Sequence, residues 1–124
     1  MSKKKKLVVV EDDPFLSKVY KSKFEDSEFD VSFATDGLEG LEIIKKNKPD
    51  LVLLDLIMPK MDGFEVLEAI RKNSEIKNTK VIVLTNLGQD EDEKRCAELG
   101  VLEYIVKSDI PIGEVIEKVN KYVG

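Results

Sequence analysis

Three unbroken four-residue apolar runs, at residues 7–10 (LVVV), 51–54 (LVLL) and 81–84 (VIVL), constrain this 124-residue chain more than any other feature. A strand with one wet face alternates apolar and polar residues, whereas a strand covered on both faces need not alternate. Two further apolar stretches, at 29–33 and 101–106, bring the number of expected strands to five.

Between the strands the period becomes helical. Pro14, preceded by Asp13 as a candidate N-cap, opens a segment with Leu16, Val19, Tyr20 and Phe24 on one side. Asp36 precedes a segment that turns Leu38, Leu41 and either Ile44 or Ile43 inward, and Asn47 and Pro49 close it. Phe64, Leu67 and Ile70 line a third helix that starts at or just after Gly63. The fourth, over residues 90–99, offers only Cys96, Ala97 and Leu99 as apolar contacts, so it is expected to be the least firmly docked. Behind Pro111, the stripe Ile112, Val115, Ile116, Val119 and Val123 marks the fifth. Five strand–helix alternations with short connections predict an α/β fold, a doubly wound parallel sheet joined by right-handed crossovers. No internal repeat and no Gly/Ser linker interrupts the chain, so residues 1–124 are expected to form one domain, with residues 1–5 as a basic tail.

Composition removes whole classes of function. The chain has no histidine, so no Ser-His or Cys-His couple and no His-ligated metal is available to it. Its 25 acidic residues outnumber its 20 basic ones, and a formal charge of −5 repels a phosphate backbone, which argues against direct nucleic-acid binding. No apolar run approaches the roughly 18 residues a membrane span needs. The basic start MSKKKK is not followed by the apolar core of a secretion signal. A cytoplasmic location is expected, and the single Cys96 fits a reducing compartment as a buried structural thiol.

In open parallel sheets, ligands sit outside the carboxyl ends of the strands. Glu11, Asp12 and Asp13 follow the first run, Asp55 the third, Thr85 the fourth and Lys107 the fifth. Clustered carboxylates need a neutralising cation, and an all-oxygen set with open water positions suits Mg²⁺. Taken singly, the three acids also read as an acidic turn and N-cap, Thr85 as a strand-end hydroxyl and Lys107 as a solvated charge. Complementary groups at several separate strand ends favour a site.

The stretches VVVEDDP, LLDLIMPKMDG, VIVLTN and EYIVKS carry a full-length resemblance to bacterial response-regulator receiver domains of the stand-alone, chemotaxis-regulator type. The resemblance implies the strand order 2-1-3-4-5. It implies that Asp55 accepts a phosphoryl group from a phosphohistidine on a sensor histidine kinase or a histidine phosphotransfer protein, with Mg²⁺ held by Asp12, by Asp55, by the backbone carbonyl of Ile57 and, through water, by Glu11. Lys107 and the metal would offset phosphoryl charge, Thr85 would contact the phosphoryl oxygen, and Tyr104 would turn inward in response. The output surface would be the face of helix 4, strand 5 and helix 5, meeting a target protein, with the chain a monomer or a weak phosphorylation-dependent dimer. Asp13 is read as the N-cap. Such a domain is a phosphoacceptor that assists its own phosphorylation and dephosphorylation rather than an enzyme acting on others.

Four positions depart from the family pattern. Ser108 follows Lys107 where proline is usual, which bears on how the lysine is aimed; Asn86 replaces a small residue after the hydroxyl; and the apolar Ile57 and Leu87 cannot orient an attacking water. A phosphorelay carrier and a receiver-like module that binds without phosphorylation use the same framework. A haloacid-dehalogenase-type phosphatase would need a second aspartate where Ile57 stands.

Overall fold

The computed structural model describes residues 5–25 and 29–123. Its elements alternate as expected: β1 (Lys5–Val10), α1 (Pro14–Phe24), β2 (Phe29–Ala34), α2 (Gly37–Asn47), β3 (Leu51–Leu54), α3 (Gly63–Lys72), β4 (Lys80–Thr85), α4 (Asp90–Glu98), β5 (Glu103–Val106) and α5 (Ile112–Val123). The five strands form one parallel sheet in the order β2-β1-β3-β4-β5. Strand β1 starts at Lys5, which pairs with Phe29, so the expected basic tail does not include this residue; the rest of that tail lies outside the described residues.

The continuous apolar runs divide between two cores by their two-residue period. Leu7, Val9, Leu51, Leu53, Ile82, Leu84 and Ile105 face α1 and α5, and pack against Tyr20, Phe24, Val115 and Val119. Val8, Val10, Val52, Leu54, Val81 and Val83 face the other way, onto Leu41, Ile44, Val66, Leu67, Ile70 and Cys96. Both faces are therefore dry, which is why the central strands carry no polar residue between the exposed lysines that open β1 and β4 and their carboxyl ends.

Helix starts follow their caps. Asp13 Oδ1 accepts from Phe15 N at 2.9 Å and Leu16 N at 3.4 Å, confirming it as the N-cap of α1. Asp62 and Glu65 form a reciprocal capping box that starts α3 at Gly63. Two expected inward residues are exposed instead. Leu38 is 51% exposed because the buried face of α2 runs through Gly37, Gly40, Leu41 and Ile44, and Ala97 is exposed one position beyond the buried Cys96. Strand β5 begins at Glu103 rather than at Val101, since Val101 N–H is used in closing α4 on Cys96 O, at 3.1 Å, after Gly100 turns through φ 75°.

As expected, α4 is lightly held. Cys96 is its only buried residue, and its N-cap Gln89 makes no side-chain capping bond. Burial pushes the Cys96 thiol up to about 11, so this cysteine is an inert part of the core. The helix is tied down mainly by arginines. Arg95 donates to Glu68 Oε1 at 2.6 Å and lies over the Phe64 ring, 4.2 Å from its centroid. Arg71, on α3, donates to the carbonyls of Leu99 (2.7 Å), Thr79 (2.8 Å), Lys77 (2.9 Å) and Gly100 (3.3 Å), pinning the turn after α4.

Gly63 joins the end of β3 to α3 at close quarters: its N–H donates to Leu56 O at 2.9 Å, and a Cβ there would lie 2.4 Å from Asp55 O and 2.6 Å from Leu56 Cα. Both obstacles are backbone atoms, so relief requires moving the loop. Gly63→Ala is expected to lower the unfolding free energy by about 1–3 kcal/mol or more, outweighing the sub-kcal gain in helix propensity. Urea unfolding checks this, and Glu65→Ala, which removes half of the capping box, should have the smaller effect.

Candidate functional site

The carboxyl edge of the sheet collects the polar residues that the strands exclude. The register pairs Val10 with Leu54 and Thr85 with Val106, so the residues that follow each strand emerge beside one another. Asp55 N–H donates to Val10 O at 3.1 Å and Lys107 N–H to Thr85 O at 2.7 Å, which extends the ladder into the site.

Three polar residues are buried among the described ones: Glu11, Asp55 and Thr85. The ammonium of Lys107 lies between the two carboxylates, 2.7 Å from Glu11 Oε1 and 2.9 Å from Asp55 Oδ2. Asp55 Oδ1 accepts from Ile57 N at 3.2 Å, and Glu11 Oε2 from Asp13 N at 3.2 Å. Asp12 is exposed at the rim. Oxygens of Glu11, Asp12 and Asp55 all lie within 4.8 Å of one another. This donor set is hard and all-oxygen, the chemistry that a Mg²⁺-type ion requires, so the residues present fit such an ion.

Burial dominates the electrostatics. It raises the pKa of Glu11 from 4.5 to about 7, against the lowering effect of its hydrogen bond to Lys107 and with the nearby Asp55 charge adding to the rise. For Lys107, burial favours the neutral amine, but the hydrogen bonds to Glu11 and Asp55 outweigh it and hold the group above the ordinary lysine range. Lys107 is therefore a fixed cation.

Thr85 is wholly buried, and its Oγ1 accepts from Leu87 N at 3.3 Å. Leu87 O in turn accepts from the hydroxyl of Tyr104, so one loop residue joins the two positions. Tyr104 is half-buried against the core on the α3 side, and burial lifts its pKa to about 12. Asn86 is exposed, Leu87 half-buried and Ile57 52% exposed. The fold thus brings Glu11, Asp12, Asp55, Ile57, Thr85 and Lys107 to one edge, with Tyr104 reached through Leu87.

A family model described as the response regulator receiver domain matches residues 7–120. The chain belongs to the response-regulator receiver family. A probable transcriptional regulator, ycf27, of Porphyridium aerugineum is 36% identical across 95% of this chain and 50% of its own length. The polar-differentiation response regulator DivK of Brucella anthropi is 30% identical across 97% of both chains. Among solved structures, the receiver domain of the Francisella response regulator 1452 is 34% identical and superposes with a TM-score of 0.86, covering 96% of each chain. The receiver spans about half the length of the first curated relatives it matches, DivK being matched along nearly its whole length. The CheY-like fold, with order 2-1-3-4-5, is the one expected. Among the described residues, no helix is long and apolar enough to cross a membrane.

Ser108 does not spoil the aim of Lys107 in this receiver. Asp109 N–H closes a turn onto Val106 O at 2.9 Å, and the lysine reaches both carboxylates. The direct Glu11–Lys107 contact was not anticipated, because the sequence reading gave Glu11 a role only through water. Arg71 was missed outright: one arginine in the last turn of a helix, among other basic residues, carries no signal in the sequence that it will bond carbonyls from two loops.

The raised pKa of Glu11 has a definite sign. Between pH 4.5 and about 7 the folded chain holds a proton here that the unfolded chain does not, so this group's contribution to stability is present below 4.5 and lost as pH rises through 7. In the absence of divalent cations, unfolding free energies measured across this window should decline with pH more steeply in the native protein than in Glu11→Gln.

Proposed function

We propose that this receiver is a phosphorylation-dependent switch or carrier in a two-component system, in which the Asp55 carboxylate takes a phosphoryl group from a phosphohistidine on a partner protein. The observation that carries the reading is the buried Asp55, held by Lys107 on one oxygen and by Ile57 N–H on the other, beside two further carboxylates. A carboxylate in this position is a fixed nucleophile, and catalysis of phosphoryl transfer is mostly positioning and charge compensation. The absence of histidine agrees with a donor on another protein.

In the transfer, an Asp55 oxygen forms a bond to phosphorus as the phosphorus–nitrogen bond to imidazole breaks, and the imidazole nitrogen leaves with the electron pair. Asp12, Asp55 and the Ile57 carbonyl would hold Mg²⁺ with Glu11 in reach, and the ion would offset charge on the transferring oxygens. Lys107 supplies a second cation that needs no proton transfer. When Asp55 becomes an acyl phosphate, the ammonium is free to follow the new negative charge. Thr85 lies at the adjacent strand end, where its hydroxyl can donate to a phosphoryl oxygen. That donation would draw on the Thr85–Leu87–Tyr104 chain and on the lightly held α4, so a local charge change can alter the face of α4, β5 and α5. A target protein meeting that face fits a chain matched along its length by DivK, and a cytoplasmic location fits a kinase partner.

Incubation with a small phosphodonor and Mg²⁺ should add one phosphoryl group by intact mass, and none to Asp55→Asn or in the absence of metal. A native protein that stays unmodified with both the small donor and a cognate kinase would favour a module that binds without phosphorylation. Retention of the group is also predicted: Ile57 and Leu87 offer no side chain to orient water, so Ile57→Asn/Leu87→Glu should hydrolyse the phosphoaspartate faster, by roughly tenfold or more. Decay of the phosphorylated mass after donor removal checks it.

A further inference from the structure

Beneath the acidic pocket, between α1 and α5, lies a cavity of about 150 Å³ lined by Leu16, Leu84, Ile110 and Val115 among other apolar residues. Only two of its lining side chains, those of Tyr20 and Lys107, are polar. Tyr20 is 2% exposed, and its hydroxyl, which makes no hydrogen bond with another described residue, is the part left open to water. Burial, with the charges of Glu11 and Asp55 adding to it, holds that hydroxyl above the usual tyrosine range.

Lys107 has a complementary requirement. An ammonium carries three N–H donors, and two are taken by Glu11 Oε1 and Asp55 Oδ2. The third has no acceptor among the described residues. A cavity with polar groups at one end and room for water binds water there, provided that two or more partners are within reach.

We propose that Tyr20 is a positioning residue for Lys107, acting through a water in this cavity that accepts the third ammonium N–H and donates to the phenol oxygen. All three donors then have fixed acceptors, and the cation is held on the line between Glu11 and Asp55 from below as well as from the sides. In this apolar-walled groove between α1 and α5 the water would have both of its partners on the protein, so the bridge restrains Lys107 where a bulk water would not. The role rests on the phosphoacceptor reading only for its consequence in catalysis; the bridge itself is a property of the unphosphorylated protein.

Tyr20→Phe removes the hydroxyl and nothing else, and it leaves an aromatic ring that the core accepts. Nitrogen-15 NMR of the Lys107 ammonium, in the native protein and in this variant, is the test, with the rate of phosphorylation by a small phosphodonor as the second readout. In the native protein the ammonium protons should exchange slowly enough to be observed. In Tyr20→Phe their exchange should accelerate and phosphorylation should slow by about fivefold, the size of one net hydrogen bond, with thermal stability unchanged or slightly lowered. Tyr20→Phe with the same ammonium exchange and the same rate overturns the proposal, as does a native ammonium too mobile to be seen. If the native protein takes no phosphoryl group, the reading of Asp55 as acceptor fails, and the exchange comparison still decides the bridge.

Discussion

The ammonium of Lys107 between Glu11 and Asp55 is the contact on which the rest of the site depends. Two carboxylates buried side by side at the end of a dry sheet would repel each other and lose hydration, at a cost of several kcal/mol per ion after relaxation. One cation from the edge strand compensates both. That solution fixes much of the architecture: β5 must pair with β4 in the register that sets Val106 against Thr85, because only then does the next residue reach across β4 to β3 and β1. The remaining unfavourable burial shows in the raised pKa of Glu11, the member whose ion pair does not fully offset its desolvation.

The same edge is where the chain stops being symmetrical about its sheet. Below it, the two-residue period sends alternate side chains into two separate apolar cores, and the packing is dense and ordinary. Above it, backbone atoms come so close that Gly63 has no room for a side chain. The firm elements hold the carboxylates, while α4 has a single buried residue and an uncapped start beside the Thr85–Leu87–Tyr104 chain. A rigid acidic pocket next to a lightly held helix suits the proposed switch, since a small change in charge can move only what is weakly bound.

The sequence made the fold legible because periodicity reports burial directly. The runs at 7–10, 51–54 and 81–84 suit strands covered on both faces, and the site residues stand out as the first polar groups after them. The errors share a cause. Leu38, Ala97 and the first residues of the last strand were placed by counting apolar residues, whereas the fold chose glycines for the close approach of α2 and used Val101 N–H to close α4. Arg71 bonding to four carbonyls, and Glu11 pairing with Lys107, depend on contacts across up to 29 positions for the first and from β1 to β5 for the second, and no local pattern encodes them.

A titration of Mg²⁺ followed by backbone amide NMR tests most directly whether this edge is a working acidic pocket. The expected result is a saturable response from one site, with the largest shifts at Asp12, Asp55 and Ile57, abolished in Asp12→Asn. Shifts that fail to saturate, or that centre on the acidic first turn of α4 at Asp90, Glu91, Asp92 and Glu93, would contradict it.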